Sequence, residues 1–186
     1  IAAGALTFTS SGGYLDGATL SDSLTLPASS HVRFTGDASF SGATATFANN
    51  SGLYWEQVGT LTGKAITLGT SAYIYLNGTN NALTLAANSS VTGDVSIYSS
   101  GSTGTAFTNL GTLTHTGGSS SVYAPTFTNS GAISATAGTL YLGYPSTYNS
   151  TNSSTGTVTA SGSGTTIYVS GNFANNGVLT AQNSAV

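Results

Sequence analysis

The segment FTNLGTLT at 107–114 returns as FTNSGAIS at 127–134 and as FANNGVLT at 173–180, with a weaker copy, NSSTGTVT, at 152–159. The anchoring glycines, Gly111, Gly131, Gly156 and Gly177, recur at similar intervals, and each is followed two places on by an apolar residue: Leu113, Ile133, Val158 or Leu179. FANNSG at 47–52 is a looser relative. Self-similarity at such a period marks a stacked repeat, in which one turn returns at one corner of every coil. An antiparallel sandwich also has many short strands, but it has no reason to repeat FTNxG at about one coil length.

Two further families share this rhythm. LTLPASSHVRFTGDASFSG at 24–42 lines up with LTLAANSSVTGDVSIYSSG at 83–101, both reading strand, small polar turn, strand, TGD turn, strand. An aliphatic residue followed by tyrosine recurs at IYL (from Ile74), IYS (Ile97), VYA (Val122), LYL (Leu140) and IYV (Ile167), a mean step of about 23 residues. Period-two alternation in Leu24, Thr25, Leu26 and in Val95, Ser96, Ile97 marks strands with one buried face. About eight coils of roughly 20–25 residues fit the chain, each holding three short strands separated by Gly, Asn, Ser or Asp turns. The expected fold is therefore all-β: one parallel β-solenoid domain over 1–186, without a linker. Such coils bury their apolar faces only by stacking ~4.8 Å apart. The motif asparagines, Asn109, Asn129 and Asn175, are then placed to form a stacked amide ladder.

Composition agrees. Thr (32), Ser (29), Asn (14) and Gly (25) make up 100 of 186 residues, and only 4% of the chain is charged, against roughly 25% in ordinary soluble domains. These are poor helix formers. A hydrophobic fraction of 39% argues against disorder. Arg33 and Lys64 are the only fixed positive charges, too few to neutralise a run of phosphates, so nucleic acid is all but excluded as a partner. Without cysteine there are no disulfides and no thiolate chemistry. No apolar run approaches the ~18 residues of a membrane-spanning helix, so membrane insertion is not expected. The chain begins at Ile1 rather than Met, which reads as a processed chain or a piece of a longer one, and both ends keep the repeat rhythm.

The FTNSG-like units, the LTLxANSSVTGD-like unit and the Ser/Thr/Gly/Asn bias, over about residues 20–183, resemble the repeat regions of large bacterial secreted right-handed β-helices: filamentous-haemagglutinin-like adhesins and autotransporter passengers. That resemblance implies a right-handed coil, a location outside the cell or on its surface, and an adhesive or structural role. It carries over no functional residue.

Chemistry is sparse. A glycan-processing β-helix needs two carboxylates across the scissile bond, and the best pair is Asp16 and Asp37, separated by close to one coil of sequence. Yet Asp16 opens a DG turn, and Asp37 and Asp94 hold the same place in two copies of TGD, which favours turn roles. His31 and His115 are several coils apart and form no joint metal site, so no metal or cofactor is expected. Five N-x-S/T sequons, at Asn49, Asn77, Asn88, Asn149 and Asn152, are explained by composition.

What remains is surface. With the aliphatic residue of each pair pointing inward, Tyr75, Tyr98, Tyr123, Tyr141 and Tyr168 form an outward stripe, suited to protein contacts, to stacking on sugar rings, or to bracing neighbouring coils. Thr112, Thr114, Thr157 and Thr159 suggest an ice-binding T-x-T array, broken at Ala132, Ser134 and Val178. The expected role is a non-enzymatic extracellular solenoid that builds a surface filament or adhesin. Its expected partners are further copies of itself, end to end or side by side, and host or surface glycans or proteins. Scarcity of charge fits, because like charges stacked coil on coil repel whereas Thr, Ser, Asn and Tyr stack favourably.

Overall fold

The computed structural model describes Ile1, residues 6–143 and residues 148–182. Within them every regular element is a strand. The first coil is β1 (Tyr14–Asp16), β2 (Thr19–Leu20) and β3 (Leu24–Leu26). The second is β4 (His31–Thr35), β5 (Ser39–Phe40) and β6 (Thr44–Phe47), and the third β7 (Gly52–Trp55), β8 (Val58–Leu61) and β9 (Ala65–Leu68). The triplets continue to β24 (Val178–Gln182), giving eight coils. Each strand pairs in parallel with its equivalent one coil away, so the chain is a three-sided parallel β-solenoid. The first and third sheets each have eight strands; the second has six, and β2 and β5 form a separate pair. Coil length varies: the step from Tyr14 to its register partner Arg33 is short, and that from Tyr141 to Tyr168 is long.

Alternation dictates which faces are buried. In β9 and the strand Ala82–Leu85 every second residue is buried, and inward columns run coil to coil. Leu83, Phe107, Phe127, Ser150 and Phe173 make one such column, with the Phe107 and Phe127 rings stacked 5.6 Å apart at 5°. One continuous core results. Each fully buried Phe or Leu contributes about 1.5–3 kcal/mol.

The FTNxG unit sits at the corner between the second and third sheets. Its Phe points inward, its Thr outward and its Asn inward. Asn109 Nδ2 donates to Asn129 Oδ1 (2.7 Å), Asn129 Nδ2 to Asn152 Oδ1 (2.8 Å) and Asn152 Nδ2 to Asn175 Oδ1 (2.8 Å). The predicted ladder therefore has a fourth rung, Asn152, supplied by the weakest copy of the motif. Below it the same column is apolar, Leu61 then Leu85, and Asn109 Oδ1 is left without a donor. The motif glycine is required by close approach rather than by φ: a Cβ on Gly156 would lie 2.2 Å from Asn152 Oδ1 and 2.4 Å from the Asn129 carbonyl.

Register overturns two sequence alignments. Leu24 lies in the third sheet whereas Leu83 lies in the second, so the two LTL segments occupy different sides of the coil. The two TGD copies differ as well. Gly36 (φ 57°) and Asp37 (φ 68°) form a left-handed two-residue turn closed by Ala38 N–H donating to Thr35 O, whereas Gly93 ends a strand of the third sheet. FANNSG turns the corner from the third sheet to the first, with Asn50 at φ 58°. Strands of three or four residues all read alike locally, and only coil-to-coil pairing tells the sides apart.

Candidate functional site

The outward face of the first sheet is aromatic, but the five-tyrosine stripe divides. Tyr75 is registered with Tyr98, whose ring stacks 5.7 Å from Tyr123. Val122 pairs with Leu142 rather than Leu140, and Tyr141 with Ser121, so Tyr141 and Tyr168 occupy a second column two positions to the side. Their rings stack 5.0 Å apart at 13°. The coil that precedes Tyr141 slips the motif by one period of two.

Both columns extend through residues that the tyrosine motif missed. The first continues from Tyr75 to Tyr54, Arg33 and Tyr14. The second holds His31, Gly52 and Tyr73. Gly52 is needed there, because a Cβ would lie 2.2 Å from the Tyr73 ring. The alternation Tyr73, Ile74, Tyr75 carried the signal in sequence. The Arg33 guanidinium lies 4.3 Å from the Tyr54 ring centroid and 5.4 Å from that of Tyr14, and pairs with Glu56, which also accepts from Asn77.

Ring contacts define what this face offers. Tyr54, Tyr73, Tyr75 and Tyr98 make mutual contacts of 5.1–5.8 Å, so much of their ring area is spent on one another. Burial, then neighbouring phenols, push the Tyr98 hydroxyl up to about 12. Burial, then the hydrogen bond it donates to Tyr54, raises Tyr73 in the same direction. Both stay neutral at physiological pH. Tyr14 (67% exposed), Tyr168 (51%) and Tyr141 (39%) present the most free surface.

The third sheet carries a different face. Outward Thr25, Thr46 and Thr67 stack in register, and the column continues through Thr92, Thr114, Ser134 and Thr159 to Thr180, one hydroxyl in each of the eight coils. The neighbouring column, two residues back, is interrupted by Ala65, Ala132 and Val178. One of the two columns expected from T-x-T is thus more complete than sequence spacing showed.

The remaining candidates do not gather. Asp16 is registered with Thr35 and accepts its hydroxyl (3.1 Å), so Asp37, two positions beyond Thr35, is not stacked on Asp16. His31 faces outward, 5.5 Å from Tyr54, while His115 points into the core and is fully buried. Burial lowers the His115 pKa; Asp94 and the backbone of Gly118 and Gly93 pull the other way, but neither ring nitrogen has a partner in hydrogen-bonding geometry. Among the described residues no three His, Asp or Glu side chains form a metal-binding group. No protein-family model matches the chain, and neither a curated protein nor a solved structure is significantly similar to it.

Proposed function

We propose that the chain is a non-catalytic structural and adhesive solenoid working outside the cell, as part of a surface filament or adhesin. The observation that carries this reading is the paired aromatic column on one sheet, at whose two ends Tyr14 and the Tyr141–Tyr168 stack stand exposed. Exposed aromatics with hydroxyl tips serve lateral contacts with further copies, with proteins or with glycans. Replacing Tyr75, Tyr98, Tyr123, Tyr141 and Tyr168 by Ser tests it. Attachment to surfaces, or assembly seen by electron microscopy, should fall by more than the change in folding stability explains. Equal attachment by a folded variant refutes it.

The eight-rung hydroxyl column on the third sheet favours a second reading, an ice-binding face, because rungs ~4.8 Å apart present a regular uncharged lattice. Thermal hysteresis of the purified chain that disappears on Thr114→Lys would support it, and no hysteresis would remove it.

A further inference from the structure

Stacked tyrosines recur on the first sheet, and the side chains that usually absorb oxidation are missing. The chain has 10 tyrosines but no cysteine and no methionine, and its single tryptophan, Trp55, is buried. Thiols and thioethers are the groups that oxidants commonly attack. Without them, an oxidant working from solvent meets exposed phenols instead. Among the described residues the exposed tyrosines are Tyr14, Tyr141 and Tyr168, and the last two are neighbours. Tyr141 lies in β19 (Thr139–Leu142) and Tyr168 in β22 (Thr166–Val169), where the parallel register sets them directly opposite each other. Their rings stand 5.0 Å apart and within 13° of parallel. Tyr14 is registered with Arg33 instead.

Phenols placed this way couple. One-electron oxidation takes an electron and the hydroxyl proton from a tyrosine, and leaves a phenoxyl radical whose spin is shared by the ring carbons beside the oxygen. Two such radicals on adjacent rings join carbon to carbon; the hydrogen on each joined carbon then moves to oxygen and restores the phenol. The net loss is two electrons and two protons, which hydrogen peroxide accepts to become two waters. In-register neighbouring strands lie about 4.8 Å apart, and exposure leaves both rings room to turn their edges together. The half-buried tyrosines are less suited. Burial pushes the Tyr98 phenol up to about 12 and raises that of Tyr73, which opposes loss of the proton, and the Tyr75 and Tyr98 rings are tilted by 54°. We propose that Tyr141 and Tyr168 form an oxidative cross-linking site, joined as dityrosine by a haem peroxidase with hydrogen peroxide. The bond staples β22, at the edge of the first sheet, to β19, with which it pairs, and closes a long coil step. Such closure restricts the unfolded chain, as a disulfide does where cysteine is present. It goes beyond the adhesive reading and does not rest on it, because the site is complete within one chain.

The test treats the intact purified chain with a haem peroxidase and dilute hydrogen peroxide. Expected are the loss of two hydrogens from the intact mass, dityrosine fluorescence in a product that still runs as a single chain, and a thermolysin peptide joining Tyr141 to Tyr168. Tyr141→Phe and Tyr168→Phe, which keep the ring stack and lose only a hydroxyl, should each abolish that product, whereas Tyr98→Phe should leave it intact. Urea sufficient to unfold the chain by circular dichroism should suppress it too, because the separated rings no longer meet. Once formed, the cross-link should move unfolding to higher urea than in the Tyr168→Phe chain oxidised alongside. No dityrosine, dityrosine only between chains, a link that joins other tyrosines, or an equal yield from the unfolded chain or from Tyr168→Phe overturns the proposal. Attachment of the chain before oxidation is a separate measurement, so the adhesive reading and this one fail independently.

Discussion

Asn129 is the central test of what holds the coils in register. Fully buried, it accepts from Asn109 Nδ2 and donates to Asn152 Oδ1 and, at 3.2 Å, to Thr157 O. Asn129→Ala removes all three bonds and strands Asn152 Oδ1 in the core, while Asn109 Nδ2 keeps only Ala132 O, at 3.3 Å. At about 0.5–1.5 kcal/mol net per bond and about 1–3 kcal/mol for a stranded group, the cost is roughly 3–5 kcal/mol. Asn175, an exposed end rung, accepts a single ladder bond, so Asn175→Ala should cost about 1 kcal/mol. Replacing Asn109, Asn129, Asn152 and Asn175 together by Leu prolongs the apolar column of Leu61 and Leu85 and leaves no amide stranded. Its cost should therefore fall well below the sum of the four single changes. Urea denaturation followed by circular dichroism, compared at equal m-value, measures all three quantities. Equal costs at Asn129 and Asn175, or strict additivity in the quadruple variant, would refute the ladder as a cooperative element.

Three further outcomes follow from the same geometry. Because burial holds the His115 pKa below 6.5 in the folded chain, the unfolded chain binds a proton first as pH falls. Stability is full above about pH 6.5 and lost below it by up to ~1.4 kcal/mol per pH unit, and His115→Leu should flatten that slope in urea titrations between about pH 5 and 7. Gly156→Ala forces a Cβ against Asn152 Oδ1 and the Asn129 carbonyl, and should cost several kcal/mol, whereas the same change at Gly13, which has open space around it, should cost under about 1 kcal/mol by thermal melting. Arg33→Ala should destabilise more than Glu56→Gln, by about 0.5–1 kcal/mol, because the guanidinium also covers the Tyr14 and Tyr54 rings while the ion pair itself is partly solvated; a double-mutant cycle reads the difference.

The FTNxG spacing, the period-two alternation and the poverty of charge were enough to determine an all-β parallel stack of about eight coils, because each reports a local requirement: a corner, a buried face, a column without repulsion. The amide ladder was legible for the same reason, although its Asn152 rung was hidden by an NSSTG corner two residues longer than the others. Register was not legible. Coils of unequal length absorb their differences in the turns, and a slip of two residues keeps every inward side chain inward while moving outward neighbours to a new column. That slip divided the tyrosines into two stacks, and coil-to-coil pairing alone shows that the Thr25 to Thr180 column is complete and that the LTL segments lie on different sides. The unpaired edge between β5 and β8 likewise depends on Trp55, Gln57 and Lys64 meeting strands from another coil. Local alternation dictates what a coil buries, and only the stacking of coils decides which outward residues become neighbours.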